Sequence, residues 1–246
     1  MLSLEEIYRN TIKREREALD RINSDSTEEI QSKSDKDMLW YYNETFALNA
    51  FFLEQDIRKA KEHFYICARI DEYLTKRYDA RILDYGVNHV SYAILCDNAE
   101  FIQRYASLSH PWYDHTIKSG SLTHAMQNIV REDWDSLRND IATYERITST
   151  QKGKINIPDL MFFKGVLNRD EQTVLGALQL LLKDHKKRNK HSGIAQNYIS
   201  IPAIGYAKLA WLKGIEVQID HPLIPKELLP YRPLDRYDAK YDFLKE

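Results

Sequence analysis

The stretch Val90-Ser91-Tyr92-Ala93-Ile94-Leu95-Cys96-Asp97-Asn98-Ala99-Glu100-Phe101-Ile102-Gln103-Arg104-Tyr105 holds two apolar stripes with an aspartate between them. Val90, Ala93 and Ile94 lie seven, four and three residues before Asp97, and Phe101 and Tyr105 lie four and eight after it. The pattern restarts at Asp133, with Met126, Ile129 and Val130 before it and Leu137 and Ile141 after it. It restarts again at Asp170, between Phe163, Val166 and Leu167 on one side and Val174 and Leu178 on the other. Apolar residues three or four apart share one face of a helix. An Asp accepts a hydrogen bond from the free N–H groups that open a helix. Each segment therefore reads as helix, tight turn capped by Asp97, Asp133 or Asp170, and helix. The intervals of 36 and 37 residues suit stacked helix hairpins. The expected fold is all-α: stacked antiparallel helix hairpins in a short, solenoid-like array, ending in an extended, proline-containing tail.

Working outward, Ser3 and Glu6 form a capping box ahead of the stripe Leu4, Ile7, Tyr8, Ile12, Ala18, Leu19 and Ile22, so a helix is predicted over 4–22. Residues 23–36 are polar and serine-bearing and read as a surface loop. From 37 to 78 the apolar spacing persists through Leu39, Tyr42, Phe46, Ala50 and Leu53, then Ile57, Ala60, Phe64, Cys67 and Leu74, with a turn expected near 54–56. Gly86 is the one strong breaker in the first hundred residues, and every proline lies at Pro111 or later. Residues 109–120 read as an inserted loop. Pro158 and Pro202 suit first turns of helices, Gly205 suits close approach of a second helix, and Gly214 suits a left-handed stop. Pro222, Pro225, Pro230 and Pro233 then enforce an extended tail. One domain over 1–246 is expected: N-terminal helices to 79, hairpin repeats over 80–190, and a terminal helix with its tail over 192–246.

The formal net charge of −2 excludes a globally basic nucleic-acid binder. No run of about 18 apolar residues exists, so no membrane span is expected. The N-terminus lacks a basic and then an apolar export signal, so the cytoplasm is the expected compartment. Cys67 and Cys96 sit in apolar helical stretches and read as buried thiols.

No metal motif, nucleotide-binding glycine loop or nucleophile motif is present, and no cofactor, metal or catalytic residue is assigned. The densest polar cluster is His110-Pro111-Trp112-Tyr113-Asp114-His115. It reads as a loop held by its aromatics, with Trp112, Tyr113, Asp114 and His115 as candidate partner contacts. The alternative, His110, Asp114 and His115 as metal ligands or an acid–base set, needs a convergence that spacing alone does not supply. The basic run from Lys183 to His191 reads as a solvated helix end. His63, His89, His124 and His185 are isolated on helical segments and read as structural.

The stretch from Asn197-Tyr198-Ile199-Ser200-Ile201-Pro202-Ala203-Ile204-Gly205 through Trp211-Leu212-Lys213-Gly214-Ile215-Glu216-Val217 to Pro225-Lys226-Glu227-Leu228-Leu229 resembles the C-terminal signature of the bacterial immunity protein 49 family, from polymorphic toxin systems. The resemblance implies a cytoplasmic protein that binds and neutralises a cognate toxin by stoichiometric occlusion, without catalysis. In that setting the tail's Tyr231, Asp235 and Tyr237 join the candidate partner contacts, although tail tyrosines also suit pinning the tail to the body. Two other readings stay open: a helical-repeat adaptor with a peptide-binding groove, and a small enzyme on a helical scaffold.

Overall fold

The computed structural model describes residues 2–24, 29–189 and 193–245. Among these the chain is all-α: α1 (Leu4–Ile22), α2 (Glu29–Phe52), α3 (Ile57–Tyr78), α4 (Val87–Leu95), α5 (Ala99–Tyr105), α6 (Tyr113–Ser119), α7 (Leu122–Arg131), α8 (Trp134–Thr148), α9 (Ile157–Asn168), α10 (Glu171–Lys183), α11 (His185–Arg188) and α12 (Ile201–Leu212). Ser3 and Glu6 close the reciprocal capping box at the start of α1. The stripes that flank the three aspartates are buried, with Leu167 only partly covered. Pro158 and Pro202 fall in first turns, and Gly214 is left-handed at φ 74°.

Consecutive helices pack from α1 to α4 and again from α7 to α10. In an open solenoid each unit touches only its neighbours. Here α12 returns to lie against α4 as well as α10, and Ile201–Ala210 is buried all round. The close approach expected at Gly205 is real: a Cβ there would stand 1.9 Å from Ser91 Oγ.

Three expectations need correction. Asp133 and Asp170 cap α8 and α10, accepting from Ser136 and Thr173 N–H, but Asp97 caps nothing. Asn98 caps α5 by accepting from Phe101 N–H, and Asp97 takes the left-handed position before it, at φ 61°. Residues 29–36, expected in a loop, open α2 instead, because Arg21 grips the Asp35 carboxylate (2.7 Å) and Lys36 lies over the Tyr73, Tyr78 and Phe243 rings; residues 25–28 of that segment lie outside those described. The expected loop 109–120 contains α6, anchored by buried Tyr113.

Several buried polar groups are paired across helices. Asp71 accepts from Tyr105 and pairs with His89 at 2.8 Å. Arg188, read from the sequence as part of a solvated run, forks onto fully buried Asp159 at 2.7 and 2.9 Å, which also accepts from Tyr206. The run's last two residues lie outside those described.

Glu44 is buried and accepts from Tyr92 at 2.7 Å. Burial pushes its carboxyl up to about 7, against the Tyr92 hydrogen bond and nearby His89. The folded state therefore holds an extra proton between pH 4.5 and about 7, and Glu44's contribution to stability falls as pH rises through that window. His63 works the other way: burial, with Lys240 and Lys59 nearby, holds it down to about 3, so its contribution rises with pH between 3 and 6.5. Glu44→Gln removes only the falling limb. Its stability relative to wild type, measured by urea unfolding, is expected to improve by on the order of 3 kcal/mol from acid to mildly alkaline pH. A pH-independent difference would contradict this assignment.

Candidate functional site

The second half of α3 places Arg69, Glu72, Tyr73, Lys76 and Arg77 at spacings of three, four, seven and eight from Arg69, so they share one helical face. The apolar face of the same helix is buried through Ala60, Phe64, Cys67 and Leu74. Opposite the polar face runs the C-terminal tail. Between them lies a groove of about 730 Å³, whose lining includes Tyr65, Tyr73, Tyr237 and Phe243 together with Arg69, Lys76, Arg77, Arg104 and Lys245.

The tail that forms this wall is fixed at three places. First, Asp97 is fully buried between Lys61 (2.6 Å) and Lys208 (2.5 Å), and it accepts from Arg232 N–H at 3.1 Å. The two ammonium groups then donate to tail carbonyls, Lys61 to Arg232 and Lys208 to Leu229 and Pro230. Burial lowers Lys208 to about 8 even against the pull of Asp97. Second, the Tyr237 hydroxyl donates to Cys96 C=O and its ring lies 5.0 Å from the Tyr65 ring. Third, Tyr241 is buried, accepts from Asn43 (2.7 Å) and donates to Glu15 (2.5 Å), while Arg69 donates to Leu244 C=O.

Glu72 sits at the centre of the groove's charges. Lys76 reaches it at 2.6 Å, Arg104 forks onto it at 2.7 and 3.1 Å, and Arg69 lies at 3.2 Å. Burial opposes ionisation of Glu72, but Arg104 and Lys76 outweigh it and hold the carboxyl below its ordinary value. One carboxylate thus serves three cations and leaves a local surplus of positive charge. Arg77 and Lys245 stand at the rim, each paired with an exposed carboxylate, Glu29 and Asp242 respectively.

The residues singled out from sequence separate into groups. Asp114 lines a shallower depression of about 530 Å³ with Ser109, His110 and Thr75, and Lys76 lines both that depression and the groove. Trp112 is 60% exposed and its ring packs near that of His115, which is also exposed. Tyr113, in contrast, is only 3% exposed and donates to Gln127, so it supports α6 from inside and presents no surface. His110 is buried and pairs with Asp84 at 3.1 Å, whereas Asp114 and His115 are exposed, and among the described residues no group of three His, Cys, Asp or Glu is placed to hold a metal ion. Tyr237 belongs to the groove wall. Tyr231 is half exposed over a separate hollow with Ile102 and Trp211, and Asp235 is exposed near Arg58. Arg69, Glu72, Lys76, Arg77 and Arg104 were missed. The polar spacing on α3 was a usable signal for the first four; nothing local marks Arg104.

Neither a curated protein nor a solved structure matches the chain. A family model, Immunity protein 49, matches residues 54–228. That span takes in α3 through α12, and so the α3 wall of the groove, Arg104 and the Lys61, Asp97 and Lys208 side chains of the clamp; the clamp's tail partners Leu229, Pro230 and Arg232 lie beyond it, as do Tyr237, Phe243 and Lys245. Matched over most of its length, the chain belongs to the immunity protein 49 family.

Proposed function

We propose that this protein protects its cell by binding a cognate toxin in the cytoplasm and covering the toxin's working surface, one to one and without turnover. The observation that carries this reading is the family match over residues 54–228. The surface fits the task. A stable interface needs about 1,200–2,000 Å² of total burial and a few rigid anchors. Four aromatics and five cations line the groove, and Trp112 stands exposed on the α6 side of the neighbouring depression.

The direct test is recovery of the partner from the native host by affinity capture and mass spectrometry, followed by co-expression of that partner with this chain. Growth is expected to be lost with the partner alone and restored by co-expression; a captured partner that is harmless to the cell overturns the reading. Within the complex, Trp112→Ala is expected to weaken affinity by about 1–2 kcal/mol, the scale of an aromatic hot spot, and to leave the melting temperature unchanged. Tyr113→Ala is not a matching surface probe, because it opens a hole beneath α6. Unchanged affinity for Trp112→Ala would remove the α6 side from the interface.

A further inference from the structure

We propose that the groove between α3 and the C-terminal tail is a receptor for an acidic polypeptide segment, a step that rests on the toxin-binding reading and assigns the chemistry of the toxin's contact. Glu72 already displays the geometry required: a carboxylate taken bidentately by Arg104 and also by Lys76. These bonds use two of the roughly five N–H donors of Arg104 and one of the roughly three of Lys76. Both side chains keep solvent access, at 39% and 58%, which leaves room for a second acceptor beside Glu72. Arg fork geometry matches planar carboxylates. Tyr65, Tyr73 and Phe243 wall the groove with rigid surface at little entropic cost. The patch is local in a chain of net charge −2, which favours a short acidic segment over a long polyanion. The tail wall lies beyond the family match, so it is the part of the groove that this chain does not share through that match.

The test uses the full chain and a fluorescein-labelled peptide of alternating glutamate and alanine, read by anisotropy at ionic strengths of about 0.01 M and about 0.15 M. Binding is expected at low salt, weakening as salt rises. Lys76→Glu with Arg104→Glu is expected to weaken it at least about tenfold, since two attractive contacts become repulsive. Lys13→Glu with Lys152→Glu, an equal charge change elsewhere on the surface, is expected to leave it within about twofold. If the first pair fails to fold, Arg77→Glu with Lys245→Glu at the rim decides the matter, with an expected loss of several-fold. No binding at low salt, or equal losses in groove and control variants, overturns the proposal. So does inorganic polyphosphate binding tighter than the peptide through the same residues, which would make this a phosphate site. The toxin co-expression assay reads separately: protection without peptide binding sinks only the groove, and peptide binding without protection sinks only the immunity role.

Discussion

Asp97→Ala is expected to cost about 3–5 kcal/mol of unfolding free energy, the scale for removing one partner of a buried ion pair. Lys61 and Lys208 are 1% and 0% exposed, and Asp97 is the carboxylate that lies between them. Without it two buried lysine amines face each other with only the Leu229, Pro230 and Arg232 carbonyls as acceptors, and Lys208, lowered to about 8 even with Asp97 beside it, is expected to give up its proton. The Arg232 N–H loses its acceptor as well. Release of the tail should accompany the loss, so amide exchange from 229 onward is expected to speed up more than exchange in α8 or α9. Asp97→Asn keeps the shape and an acceptor but not the charge, and should fall between wild type and Ala. Replacing all three groups with apolar residues of similar volume can approach neutrality; that contrast separates an uncompensated charge from a simple cavity. A urea-derived unfolding free energy for Asp97→Ala within about 1 kcal/mol of wild type would show that the clamp contributes little.

The same residue marks where the sequence was legible and where it was not. Gln55–Asp56, Asp97–Asn98, Glu132–Asp133 and Arg169–Asp170 are one turn used four times, a left-handed residue followed by a side-chain cap. Aligning by aspartate placed the cap one position early in the Asp-Asn pair. The flanking stripes survived that slip because helical faces tolerate a one-residue error better than caps do. Helix α6 was hidden for a different reason: seven residues are too few to be helical alone, and Tyr113 and Ile117 find their support on distant segments. Residues 29–36 likewise become helical through partners on α1, α3 and the tail. The groove was half visible. Its α3 face follows from spacing, but Arg104 and the tail wall arrive through contacts more than thirty residues away, which no local pattern records.

Gly205→Leu is expected to cost about 3 kcal/mol or more, at the upper end for overpacking in a closed core. The first added atom already meets Ser91, with Oγ at 1.9 Å and Cβ at 2.6 Å from the position a Cβ would take. Ser91 cannot swing aside freely, because its hydroxyl donates to Val87 C=O at 2.5 Å. Nor can α12 retreat. Its Tyr206 ring stacks on Phe162 at 4.2 Å and its hydroxyl donates to Asp159, while Lys208 holds the clamp one turn further on. Gly205→Ala makes the sign of the effect diagnostic: in an open helix it would stabilise by about 1 kcal/mol, whereas here it is expected to destabilise. Ser91→Gly should recover most of that loss in the double variant, giving a coupling of about 1–3 kcal/mol in a denaturation cycle. If the two substitutions prove additive, α4 and α12 do not meet at this point, and the return of the C-terminal helix into the bundle is wrong.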